Sequence, residues 1–206
     1  MSSPTIAQHA GVLLCLGLLS AISGAAGNPT ETDADAGERL MLSGRYPEAV
    51  TAFQRALVAD PDSAPLHARL ARALAEDEDL DGAVRAYERT VALVPADADS
   101  RTRLAIILTR LDRFEEALAN LEIAVELVPD HAWAYDVLGK LHFREGRYND
   151  AAAAYRRATE ADADYGEAWF DLGQTLLRQT DLEGAESAFG KAVAADSSDA
   201  RFHDAL

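Results

Sequence analysis

The side chains of this 206-residue chain that could ligate a metal or attack a carbonyl are few and poorly spaced for it. The five histidines are His9, His67, His131, His142 and His203. No two lie four apart on one helix, and none joins acidic residues at metal-ligand spacing. His67 and His142 fall in columns of apolar or aromatic residues, where packing is their role. The one cysteine, Cys15, lies in an apolar leader, so a chain processed beyond it has no thiol for a disulfide, a metal or a nucleophile. There is no Gly-rich phosphate loop and no Ser nucleophile elbow. The expectation is therefore no enzyme, no metal, no cofactor and no small-molecule substrate. What the spacing does offer is binding chemistry. Arg69 and Arg103 stand 34 residues apart, and Arg110, Arg144 and Arg178 follow the same interval. A guanidinium presents a planar donor fork that fits carboxylates.

Composition narrows the partner. Lys+Arg number 19 against 35 Asp+Glu, a net charge of −16. Neutralising phosphates needs clustered cations, so nucleic acid is not expected, nor is an anionic lipid surface. Hydrophobic residues make up 49% of the chain, enough to fold and against disorder of the whole.

The 34-residue interval runs through the whole chain after the leader. Ala49, Ala83, Ala117, Ala151 and Ala185 form one column, and Gly37, Ala71, Ala105, Gly139 and Gly173 another. Phe53, Tyr87, Leu121, Tyr155 and Phe189 form a third, and Tyr46, Leu80, Phe114, Tyr148 and Leu182 a fourth. Pro61, Pro95 and Pro129 close three units, because proline cannot continue a helix from inside. Apolar columns recur at three- and four-residue steps, which is helical spacing, and turn signals such as Ser43-Gly44-Arg45 and Glu145-Gly146-Arg147 split each unit in two. Small columns let paired helices approach, aromatic columns fill the space between, and stacking buries what one pair cannot. The units are 30–63, 64–97, 98–131, 132–165 and 166–199, followed by a stub at 200–206. That stub is too short for a good polar cap, so some apolar surface is expected at the C-terminal end.

The pattern resembles the tetratricopeptide repeat (TPR), in an exported bacterial form. Trp169, Leu172, Gly173, Ala185, Phe189 and Ala192 carry the resemblance in the last unit, and Gly139, Tyr148, Ala151 and Tyr155 in the one before. It implies an all-α, right-handed α-solenoid of five helix-turn-helix repeats, and a scaffold that binds protein or peptide along its first helices. Two specialised binding modes of the family lack their residues. No Lys fills the partner column of a two-carboxylate clamp, and three asparagines (Asn28, Asn120, Asn149) cannot make a ladder.

Twenty inward positions of the first helices carry seven cations and three anions. The candidate groove residues are Arg69, Arg72, Arg103, Arg110, Lys140, Arg144 and Arg178, expected to meet acidic groups of a partner. Trp133, Phe143 and Phe170 are expected to anchor its apolar side chains. A second reading stays open. Arg72 with Glu76, Asp99 with Arg103 and Asp136 with Lys140 are each four apart on one helix, the spacing of surface ion pairs worth about 0.3–0.5 kcal/mol.

Residues 1–30 hold no Lys, Arg, Asp or Glu, and Gly11 to Ile22 is an apolar run followed by small residues. This reads as a signal peptide over 1–27, then an acidic spacer over 28–35. It lacks the usual basic residues before the apolar run. The alternative is an uncleaved anchor over residues 10–27, the one route to a membrane; Leu14 before Cys15 argues against lipidation. The expected role is a periplasmic or secreted protein-binding scaffold. The alternative role is a self-associating structural or auxiliary subunit of an envelope complex, with an empty groove. N-terminal sequencing of the protein from an envelope fraction should begin near Gly27 or Asn28, and a cytosolic product starting at Met1 would refute export.

Overall fold

The computed structural model describes residues 32–205. The leader and most of the spacer lie outside the described residues. Helix α1 (Asp33–Leu42) already includes Asp33 and Asp35, so the last residues assigned to the spacer are helical. Both carboxylates sit in its first turn, where the helix dipole favours them.

Among the described residues there are eleven helices and no strand. After α1 come α2 (Tyr46–Ala59), α3 (Ala64–Glu76), α4 (Leu80–Leu93), α5 (Ala98–Arg110) and α6 (Phe114–Leu127). Then follow α7 (Ala132–Arg144), α8 (Tyr148–Ala161), α9 (Gly166–Arg178), α10 (Leu182–Ala195) and α11 (Ala200–Asp204). First helices start at 64, 98, 132, 166 and 200, and second helices at 46, 80, 114, 148 and 182, each 34 residues on. Neighbours in sequence pack together, and α7 also touches α5 and α9. The result is a solenoid of stacked helix pairs. None of its helices is long and apolar enough to cross a membrane.

The columns do the packing expected of them. Phe53, Tyr87, Leu121, Tyr155 and Phe189 are buried, as are all five alanines of the second-helix column. Where the small first-helix column holds glycine, a ring lies on it. A Cβ at Gly139 would stand 2.6 Å from the Tyr155 ring, and one at Gly173 2.5 Å from Phe189.

Each helix pair turns on one residue in the left-handed region. These are Gly44, Glu78, Asp112, Gly146 and Thr180, with φ between 57° and 75°. At every turn the next backbone N–H bonds five residues back, as Arg113 does to Leu108 and Arg147 to His142, both at 2.9 Å. This is the Schellman closure of a helix end. Side chains close the other junctions. His67, Arg101, Trp169 and His203 each reach the backbone carbonyl six residues earlier, at 61, 95, 163 and 197.

The C-terminal end is better covered than the sequence suggested. Helix α11 is the opening of a sixth unit, capped by Asp199, and it drives Phe202 to 2% exposure. The Phe202 ring lies 5.3 Å from Phe170 and over Gly166. Apolar surface remains in the last repeat at Leu182, the first residue of α10, which is 69% exposed.

Gly139→Ala tests this packing by sign. Helix propensity alone favours Ala over Gly by about 0.5–1 kcal/mol. Collision with the buried Tyr155 ring should reverse that, destabilising by about 1–3 kcal/mol in denaturant unfolding. A stabilised variant would mean that the ring does not sit on the glycine.

Candidate partner-binding groove

The first helices α3, α5, α7 and α9 carry the face on which the candidate residues stand. Their inward stripe is core, led by Leu70, Leu104, Leu141 and Leu172. The flanking positions hold the charges, and the structure shows where each goes.

Most of the cations are already paired. Arg69 Nε lies 3.1 Å from Glu38 of α1. Arg110 Nη2 donates to Glu78 at 2.8 Å, and Arg144 Nη2 to Asp112 at 2.6 Å. Arg144 also donates to the Thr109 carbonyl and stacks on Phe114. Glu78 and Asp112 are the left-handed turn residues of the preceding unit. The ladder of arginines therefore grips the turn one repeat back. These contacts are exposed and contribute roughly 0–1 kcal/mol each.

The ladder stops at its last rung. Gly146 occupies the turn that Arg178 would reach, so no carboxylate is offered there. Arg72, Arg103 and Arg178 have no carboxylate partner among the described residues. Arg103 sits over the Trp133 ring at 5.0 Å, and Arg178 over Phe143 at 6.0 Å. Of the same-helix pairs read from the sequence, Asp136–Lys140 forms. Asp99 instead meets His131, at 3.0 Å.

The aromatic anchors are not one patch. Phe143 packs edge-on to Tyr148, Trp133 lies against the main core, and Phe170 joins Phe189 and Phe202 in the last unit. Beside Phe143 lies a recess of about 170 Å³, lined by Lys140, Phe143, Tyr155, Asp171 and Gln174. A shallower recess of about 300 Å³ lies by Trp169 and Lys191, among residues of α8, α9 and α10.

The first recess adjoins the main electrostatic feature of the face. Lys140 Nζ is 2.7 Å from Asp136 Oδ2, 3.5 Å from Asp171 and 3.9 Å from Glu167. Asp136 is 1% exposed, and its Oδ2 also accepts from the Tyr165 hydroxyl at 3.0 Å. Its Oδ1 has no hydrogen-bond partner. Burial pushes the Asp136 carboxyl above its usual range against the pull of Lys140. Burial likewise lifts Asp171 to about 6. Burial opposes the Lys140 charge, but Asp136, Asp171 and Glu167 outweigh it and hold its pKa above the ordinary value. Burial also raises the Tyr155 and Tyr165 phenols. Sequence reasoning placed Asp136, Asp171 and Gln174 on this face without making them site residues, and it passed over Tyr165 and Glu167. The Asp136–Lys140 spacing was the available signal for the cluster.

Stacked helix pairs of constant length, with small and aromatic columns interlocked, define a helix-pair repeat solenoid. Profiles described as tetratricopeptide repeat match residues 35–98 and 137–200, and a second such profile matches 97–164. The chain belongs to the tetratricopeptide repeat family. No curated protein matches it. Several solved structures share the fold. MamA from Desulfovibrio magneticus RS-1 superposes with a TM-score of 0.71 at 21% identity, covering 82% of this chain and 95% of that one. TTC0263, a thermophilic TPR protein from Thermus thermophilus, gives 0.68 at 24%, covering 84% and 97%. YrrB, described as a TPR protein with an unusual peptide-binding site, gives 0.65 at 21%, covering 84% and 89%. At these identities the likeness concerns the fold.

The raised Asp171 pKa fixes a sign. The folded state holds this proton more tightly than the unfolded chain, so its carboxylate penalises folding above about pH 6 and the penalty fades as pH falls toward 4. Against Asp171→Asn, the wild type should gain on the order of 1–3 kcal/mol of relative stability between about pH 7.5 and about pH 4. Paired thermal melts measure it, and a pH-independent difference would contradict the buried charge.

Proposed function

We propose that this chain is a non-catalytic scaffold working outside the cytoplasm, holding a segment of a partner protein along its first-helix groove. The observation that carries this reading is the recess between α7 and α9, on the face where charged side chains and the outer edges of Phe143 and Trp133 stand. Family membership supports protein binding as the mode, and the charge-free apolar leader supports export. Phe143 and Trp133 supply apolar contact. The cations open to an acidic group of the partner are Arg72, Arg103 and Arg178, because the chain's own carboxylates hold Arg69, Arg110, Arg144 and Lys140. Long-range attraction to these three is screened over about 10 Å at 0.1 M salt.

A second reading has its own observation. Leu42 of the first repeat is 89% exposed, and Leu182 is bare in the last. Apolar patches on different repeats suit head-to-tail self-association.

The double variant Arg72→Glu with Arg178→Glu separates the readings. Affinity capture from the native envelope fraction should lose its partner at least about tenfold, a change of about 1.4 kcal/mol, with circular dichroism unchanged. Undiminished capture by the folded variant rejects the groove. Concentration-dependent oligomers in sedimentation velocity that vanish with Leu182→Ser would favour self-association instead.

A further inference from the structure

The cluster around Lys140 is a departure from the repeat. One unit earlier, the positions of Asp136, Lys140, Asp171 and Glu167 are held by Thr102, Ile106, Val137 and Trp133. None of those four is ionisable; the charges that α5 and α7 do exchange come from Arg103, over Trp133, and Arg144, to the Thr109 carbonyl. The fold does not need ionisable groups at these four positions, and burying them works against stability unless each is matched. They are not matched. Three carboxylates surround one ammonium, which leaves an excess of two negative charges when all are ionised. The Asp136 Oδ1 is a buried acceptor without a donor. Arg201 draws on Glu167 at 3.5 Å but is itself held by Asp199, so it adds no net charge. Charge without a packing role, beside a recess, marks a functional site.

We infer that the recess between α7 and α9 receives a cationic side chain, Lys or Arg, from the partner segment, with Asp171 as its carboxylate acceptor. The inference rests on the groove reading above and sets the chemistry of its occupant. Asp171 and Gln174 line the recess and both offer acceptor oxygens. Phe143 and Tyr155 supply its apolar walls, against which the methylene stem of such a side chain can lie. An anion entering there finds the Lys140 ammonium already surrounded, and it meets Asp171 as well. Among the described residues no group of acidic or histidine side chains has metal-binding geometry. Lys140 is a positioning residue, holding Asp136 and Asp171 in place. Arg178, whose guanidinium lies 6.0 Å from the Phe143 ring, repels a second cation, so the recess selects one basic residue rather than a basic run. Binding should weaken as pH falls through about 6, where Asp171 takes up its proton in the company of Lys140, Asp136, Glu167, Tyr155 and Tyr165.

The test is nuclear magnetic resonance titration of the full chain with two probes, N-acetyl-arginine amide and N-acetyl-glutamate amide. The arginine probe should give saturable shifts at the Asp171 backbone and Gln174 side-chain amides, at least about tenfold tighter than the glutamate probe. Asp171→Asn should abolish them. If that variant fails to fold, Glu167→Gln, at a more exposed position, should weaken them several-fold. Stronger shifts from glutamate, or none from arginine, overturn the inference. If arginine fails here while the Arg72/Arg178 variant still loses its partner, the charge class is wrong and the groove stands. If partner capture also survives that variant, the groove reading has failed with it.

Discussion

A ring lying on a helix backbone is the contact from which the rest of this solenoid follows. Tyr155 over Gly139 and Phe189 over Gly173 leave no room for a Cβ, so the two helices of a unit meet at one separation and one rotation. A small residue at that position in every unit, glycine at 37, 139 and 173 and alanine at 71 and 105, keeps the spacing of the pairs constant. The candidate groove is a by-product of that regular stacking. Because each repeat touches mainly its neighbours, a change at one ring contact weakens the array locally and shifts the aim of the residues beside it.

The turns convert this regularity into a distribution of charge. A left-handed residue is required once per unit, and glycine fills only two of those places. Where Glu78 and Asp112 accept the strain instead, their carboxylates are presented to the arginine of the following unit. Two of the cations that the sequence lines up along the groove, Arg110 and Arg144, are thereby neutralised. Within that column, Arg178 stays open where the turn reverts to Gly146, and it stands over Phe143 at the recess.

The recess itself shows how a repeat can host chemistry that the fold does not demand. Between α5 and α7 the equivalent positions are filled by uncharged Thr102, Ile106 and Val137, all buried or half-buried. The next junction replaces them with a salt-bridged cluster whose charges do not balance. Asp136 and Lys140 sit four apart on α7, while Asp171 and Glu167 come from α9. The surplus negative charge belongs to neither helix alone but to the interface between repeats.

The architecture was legible in the order of residues alone. The fixed interval, the Gly139 and Tyr155 columns and the turn at Gly146 are local or strictly periodic, and periodicity translates directly into helices that stack. The Asp136–Lys140 pair was legible too, because four residues along one helix is one turn. The partners of the arginines were beyond such reading. Arg110 finds Glu78 and Arg144 finds Asp112 across 32 residues, through a turn conformation that no spacing rule announces. The sequence likewise counted Lys140 as a cation of a basic strip, whereas the packing of α9 on α7 surrounds it with acid. Nor did the sequence foresee that Phe202 would fold back to cover the last repeat. The net charge of a face is a sum over neighbours in space, and that sum exists only once the helices are packed.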